Sequence, residues 1–208
     1  MKRKVTPTEL ALFSRSPVIG SWWEQLNKVD PRRAPKPKTD LLDQLLFESG
    51  RKHEEILIKD LESKGKKVKK LSGLMTDDAF QETLDVIHEG QYDYIHQASL
   101  QNDEIRGSAD LLERIYKPSK LGDWSYIPIE CKLSSHSKPI YLVQACAYCE
   151  LLEPILGNRP RNFKLYLGGK KFEREPDGYR LDDFWMWYKS LRDRYQKFLA
   201  AFESPSNS

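Results

Sequence analysis

The chain is short of cysteine. It has only three, Cys131, Cys146 and Cys149, an odd number without framework spacing. That argues against a disulfide scaffold and for a reducing compartment. No run approaches the ~18 apolar residues a membrane helix needs, and no N-terminal stretch resembles a signal peptide. A soluble cytoplasmic protein with no membrane partner is therefore expected. No Gly-x-x-x-x-Gly-Lys-Ser/Thr pattern occurs, so Gly168-Gly169 reads as a turn and not a phosphate loop. His88, His96 and His136 do not make a zinc set, and no Ser/His/Asp arrangement can be argued from spacing. Internal repeats are absent. Net charge is only +3, so overall charge does not announce a nucleic-acid binder. The basic residues are instead clustered, in Lys2-Arg3-Lys4, Arg32 to Lys38 and Lys64 to Lys70. Each cluster, taken singly, reads as a solvated face or turn.

What is present is enough to build a core. Of 208 residues 39% are hydrophobic, with 8 Phe, 10 Tyr and 5 Trp, a folded composition. Thr6-Pro7-Thr8-Glu9 reads as a capping box with proline at the first helical position, opening a helix with Leu10, Leu12 and Phe13. Ser16-Pro17 opens a second helix through Trp22, Trp23 and Leu26. A proline-rich basic loop over 30–39 leads to Asp40, the expected cap of a long helix carrying Leu42, Leu45, Leu46, Ile56, Leu57 and Leu61. Gly50 is a candidate break or bend in it. A short strand is expected over 68–71 and a helix over 77–89 with Phe80, Leu84 and Ile87 on one face. The period then changes, and strands are expected over 92–100, 105–116 and 124–133, with Pro128 marking an edge or bulge in the third. A helix over 138–156, a strand over 163–167, a turn and strand over 170–181 and a final helix over 182–202 complete the chain. The order predicts an α/β (α+β) fold with a mixed central sheet flanked by helices and a helical N-terminal region. Residues 1–203 read as one domain and 204–208 as a disordered tail or linker start.

Within the strands sits a set of charged residues. Asp110 follows Gly107-Ser108-Ala109, and Glu130-Cys131-Lys132 ends the next strand. Glu130 and Lys132 have the same parity and share a face. If the strands are neighbours, two carboxylates and an ammonium converge, and the Cys131 carbonyl can add an oxygen. Such hard donors suit Mg²⁺ or Mn²⁺, one ion or two, and metal-assisted hydrolysis of phosphodiesters is the chemistry they serve. Lys132 would orient water or stabilise charge at phosphorus. A surface ion pair is the ordinary alternative for acids and a lysine so spaced. Gln144 and Tyr148 lie four apart on the following helix and share a face, either as plain polar positions or as groups that meet substrate and order the site. His53-Glu54 could bring an imidazole to the metal. Trp185-Met186-Trp187-Tyr188 could stack on bases, with core packing as the default reading.

Together, Gly50-Arg51-Lys52-His53-Glu54, Gly107-Ser108-Ala109-Asp110, Glu130-Cys131-Lys132 and Gln144-x-x-x-Tyr148 resemble the RecB-like branch of the PD-(D/E)xK nucleases. The opening from Thr6 to Pro17 also resembles the start of a bacterial subgroup of RecB-like nucleases, members of which are often joined to helicase or RNase H-like modules. The resemblance implies a restriction-endonuclease-like core and divalent-metal hydrolysis of DNA, as an exonuclease in repair, recombination or defence. It implies Asp110 and Glu130 as metal-binding acids, Lys132 as the catalytic lysine and His53 as the extra ligand. Gln144 and Tyr148, with Glu54, would bind substrate or order the site. Some relatives hold an iron–sulfur cluster on four cysteines; Ser14 and Ser16 stand in the N-terminal region here and only Cys149 follows Tyr148, so no cluster is expected. DNA is the expected partner, with a helicase or other subunit a further one. A non-catalytic DNA-binding or assembly module, and a nuclease acting on RNA, are the alternatives.

Overall fold

The strand-rich stretch between residues 94 and 132 forms the middle of a six-stranded mixed sheet. The computed structural model describes residues 4–16, 19–35, 41–168 and 176–202. Pro17, part of the proline-rich loop, the Asp40 cap, the turn from Gly169 and the tail at 204–208 lie outside the described residues. Within them the order is α1 (Pro7–Arg15), α2 (Ile19–Val29), α3 (Leu41–Ser63), β1 (Val68–Lys70), α4 (Asp77–Glu89), β2 (Tyr94–Gln101), β3 (Arg106–Ile115), β4 (Ser125–Lys132), α5 (Pro139–Leu156), β5 (Asn162–Leu167), β6 (Asp177–Arg180) and α6 (Asp182–Ala201). Strands lie in sequence order across the sheet. β2, β3 and β4 are an antiparallel meander, while β1 joins β2 and β5 joins β4 in parallel. This is the expected α+β architecture.

Two layers of helix cover the sheet. On one face α1, α4, α5 and α6 pack over Ile95, Leu112, Tyr126, Phe163 and Leu165. On the other, α3 covers Leu111, Ile129, Cys131 and Tyr166 with Leu57 and Leu61. Adjacent strand residues thus serve different layers, as the pleat requires. Burying one such side chain contributes about 1.5–3 kcal/mol. α5 is buried on nearly its whole circumference, and Ala145, Cys146, Ala147 and Cys149 are all inside. Their small side chains let the helix approach the sheet closely.

At α1 the capping box forms as read. The Glu9 amide donates to Thr6 Oγ1 at 3.2 Å and the Thr6 amide donates to Glu9 Oε2 at 2.8 Å. The buried Glu9 also pairs with Lys28, which ties α2 to α1.

Several expectations are corrected. Pro128 is neither at an edge nor in a bulge. It sits in central β4 opposite Leu112, and pairing to β5 starts only at Ile129, so the missing N–H interrupts no pair of the β4–β5 ladder. Gly50 does not break α3, which runs through it. On α4 the buried face is Ala79, Thr83, Val86 and Ile87, with Phe80 and Leu84 only half-buried. The first half of α3 does not pack either: Leu41 is 72% and Phe47 70% exposed, with Leu42, Leu45 and Leu46 also outside, and Ile56 in its second half is exposed too. None of the described helices is long and apolar enough to cross a membrane.

Candidate active site

The sheet divides where the acids sit. β3 and β4 pair from Ile115↔Ser125 as far as Leu111↔Ile129. Continuing that register by one residue sets Asp110 opposite Glu130. Beyond it β3 stays with β2, down to Arg106, while β4 turns to β5 up to Lys132. The strands part, and backbone groups along the fork lose their ladder partners, which is costly unless something replaces them.

Side chains and the N-terminal segment do so. The Cys131 amide donates to Asp110 Oδ2 at 2.8 Å. The Tyr148 hydroxyl of α5 donates to the Ser108 carbonyl at 2.6 Å. Val5 bridges Ile105, and the Arg106 amide donates to the Val5 carbonyl at 2.8 Å. Gly107 lies flat beneath Pro7 and Tyr148; a Cβ there would come within 2.7 Å of Pro7 Cδ and 3.1 Å of the Tyr148 ring. A side chain at this position would therefore drive α1 and α5 out of the fork. Gln144 donates to Thr8 Oγ1 at 3.3 Å. The two residues of the Gln-x-x-x-Tyr pair thus contact α1 and β3.

Lys132 completes the charged group. Its ammonium pairs with Glu130, lies 3.5 Å from Asp110 Oδ2 and sits over the Tyr141 ring at 5.7 Å. Glu130 is 2% exposed, and its second oxygen is buried without a hydrogen-bond partner. Burial, followed by the Asp110 charge, pushes the Glu130 carboxyl up to about 8. Burial likewise raises Asp110, while Lys132 pulls it down and Glu54 adds to the rise. For Lys132 burial acts downward, but the two carboxylates outweigh it and the ammonium titrates above its ordinary range. Glu130 therefore holds its proton at neutral pH, a proton that a bound cation would displace.

The strand end that bears Lys132 is fixed by a close backbone contact. The Gly168 amide donates to the Lys132 carbonyl at 2.7 Å. A Cβ on Gly168 would fall 2.1 Å from the Leu133 carbonyl oxygen. Because the Lys132 carbonyl faces β5, strand alternation turns the Cys131 carbonyl to the fork side, beside the acids.

From the other layer, α3 brings Glu54 to this gap. His96 Nε2 lies 3.1 Å and Gln97 Nε2 2.9 Å from Glu54 Oε2. His53 is turned to β5. Its ring stacks on Tyr166 at 4.5 Å and Nε2 is 3.5 Å from the Tyr166 carbonyl. Among the described residues no three His, Cys, Asp or Glu side chains converge as a ready cage for an ion. The structure thus gathers Asp110, Glu130, Lys132 and Cys131, sets Tyr148 and Glu54 against them, and leaves His53 against Tyr166.

Three contributors escaped the sequence reading. Tyr141, under Lys132, lies on the same face as Gln144 and Tyr148 at i, i+3 and i+7, a spacing that could have found it. Gly168 needed the β4–β5 pairing to be known. Gln97 carries φ +57°, the one positive value at a non-glycine among the described residues; such a backbone costs about 1–2 kcal/mol and left no signal in the sequence.

No family model matches the chain, and no curated protein matches it.

Proposed function

We propose that the chain is a divalent-metal-dependent nuclease that hydrolyses DNA phosphodiester bonds. The observation that carries this reading is a buried acid pair, Asp110 and Glu130, with an unpartnered Glu130 oxygen and a lysine alongside. A group of this kind fits a hard cation. Two carboxylates and the Cys131 carbonyl offer oxygen donors of the type Mg²⁺ and Mn²⁺ take. An unpartnered buried carboxylate oxygen is also expensive unless something binds it.

The roles divide by position. Asp110 and Glu130 would hold the ion, which when bound would polarise the phosphoryl group and favour ionisation of water. Lys132, released from Glu130, places its ammonium where the attacking water and the charge growing on the phosphate oxygens are met. Tyr141 beneath it limits where the ammonium can go. Tyr148 and Gln144 hold α5, α1 and β3 together so that Asp110 keeps its place. His53 belongs to the same reading as a further ligand and would have to leave Tyr166 to serve. The resemblance to RecB-like nucleases supports this assignment, an action in repair, recombination or defence, and association with a helicase. It also supports a restriction-endonuclease-like core, while the shortage of cysteines, with only Cys149 after Tyr148, speaks against an iron–sulfur cluster.

The test is cleavage of linear duplex, circular duplex, single-stranded DNA and RNA with Mg²⁺, with Mn²⁺ and with a chelator. Metal-dependent degradation is expected, reduced at least a thousandfold in Asp110→Ala and Lys132→Ala. Degradation of linear but not circular DNA would mark an exonuclease. Cleavage of RNA alone would move the substrate class. A folded protein that binds metal and DNA yet cuts nothing would overturn the reading in favour of a binding module.

A further inference from the structure

We propose that Gln97 is a positioning residue that fixes the Glu54 carboxylate beside Asp110 for divalent-cation binding. The inference rests on the metal-site reading above and assigns a role to a residue outside the resemblance motifs.

β2 and β3 hold one register across this point. His96↔Leu111 and Ala98↔Ala109 both pair, which sets Gln97 opposite Asp110. At Gln97 alone the pairing lapses, and the backbone turns into the left-handed region at φ +57°. In a regular strand His96 and Gln97 would point to opposite faces. With the turn both reach the same Glu54 oxygen, at 3.1 and 2.9 Å. The Gln97 amide is also held at its other end, where the Ser108 hydroxyl donates to Oε1 at 3.1 Å. The Glu54 carboxylate, which only accepts, fixes which end of the amide is the donor and leaves Oε1 to accept from Ser108. A chain of contacts results: Tyr148 holds Ser108 of β3, Ser108 holds Gln97, and Gln97 holds Glu54. Glu54 is thereby kept where its charge acts on Asp110, although the two carboxylates repel. Backbone strain retained at one residue, which serves to aim a carboxylate at two others, is the form that stored strain takes at functional sites. No three acids form a ready cage among the described residues, but a third carboxylate held near the Asp110–Glu130 pair is offset when a cation binds there.

The discriminating variant is Gln97→Gly. Glycine adopts positive φ without strain, so the fold loses nothing at the backbone while the amide is removed. Mn²⁺ binding to the full chain would be followed by electron paramagnetic resonance of the free ion, and melting temperature would be measured without metal. Wild type, Gln97→Gly, Glu54→Gln and the double variant form the set. Gln97→Gly is expected to weaken Mn²⁺ binding about tenfold, with an equal or higher melting temperature. The double variant should bind no more weakly than Glu54→Gln, because both act through one carboxylate. Wild-type affinity in Gln97→Gly would overturn the positioning role while leaving the nuclease reading intact. A melting temperature that falls together with affinity would also overturn it, by making Gln97 a structural residue. Failure of the wild type to bind Mn²⁺ would overturn the nuclease reading, and this inference with it.

Discussion

Glu130 combines near-complete burial with a negative neighbour, and its carboxyl consequently titrates near 8 instead of near 4.5. A carboxyl raised on folding favours the folded state while protonated. Its contribution is complete below about pH 4.5 and is lost as pH climbs through 8. The metal-free protein should therefore lose stability across that window. Glu130→Gln removes the titration, and its stability relative to wild type should improve by roughly 2–4 kcal/mol between pH 5 and pH 8. Denaturant melts at several pH values would show this; parallel curves for the two proteins would refute it. Millimolar Mg²⁺ should flatten the wild-type curve and leave the variant unchanged. Gly168 is the other residue with a sharp consequence. A methyl group there would overlap the Leu133 carbonyl, which is backbone and cannot rotate away. Gly168→Ala should cost about 1–3 kcal/mol and lower turnover by displacing Lys132. Calorimetry beside a cleavage assay would read both effects, and a normal melting temperature would show that β5 can move aside.

Among the elements, α5 does more than cover the sheet. Through Tyr148 it satisfies a β3 carbonyl that the parting strands leave open. Tyr148→Phe keeps the ring against Gly107 but abandons that carbonyl. A loss of about 1–3 kcal/mol is expected for the unpaired group, together with a tenfold or greater drop in cleavage rate at saturating metal. Equal activity with lowered stability would reduce Tyr148 to a packing residue. These elements also show what the sequence could and could not convey. The strands from 94 to 132 were legible from the change of period after α4, although β4, covered on both faces, is an apolar run without alternation. The shared face of Glu130 and Lys132 followed from parity alone. The parting of β3 from β4 was not legible, because it depends on which strand each half prefers as neighbour. Neither was the pairing of Val5 with Ile105, a contact about a hundred residues apart in the chain. Pro128 suggested an edge because a missing N–H usually needs solvent. The structure instead places it one residue before the parallel ladder begins. The apolar residues of early α3 suggested a packed face, yet periodicity carries no information about whether a partner layer reaches that far.

At the scale of the molecule, the site belongs to neither helical layer. α5 and α1 approach the fork from one side, α3 from the other, and the acids lie where the sheet lets both through. The residues involved run from Val5 and Thr8, through Glu54, Gln97, Ser108, Asp110, Glu130 and Lys132, to Tyr148 and Gly168. The opening of the chain is thus a structural part of the site: Val5 takes the place beside β3 that β4 has vacated. No hairpin or strand–helix unit excised from the middle would carry the arrangement. The smallest contiguous piece that contains every one of these contacts spans residues 5 to 168, so the constellation cannot be transplanted as a motif and exists only as a property of nearly the whole polypeptide.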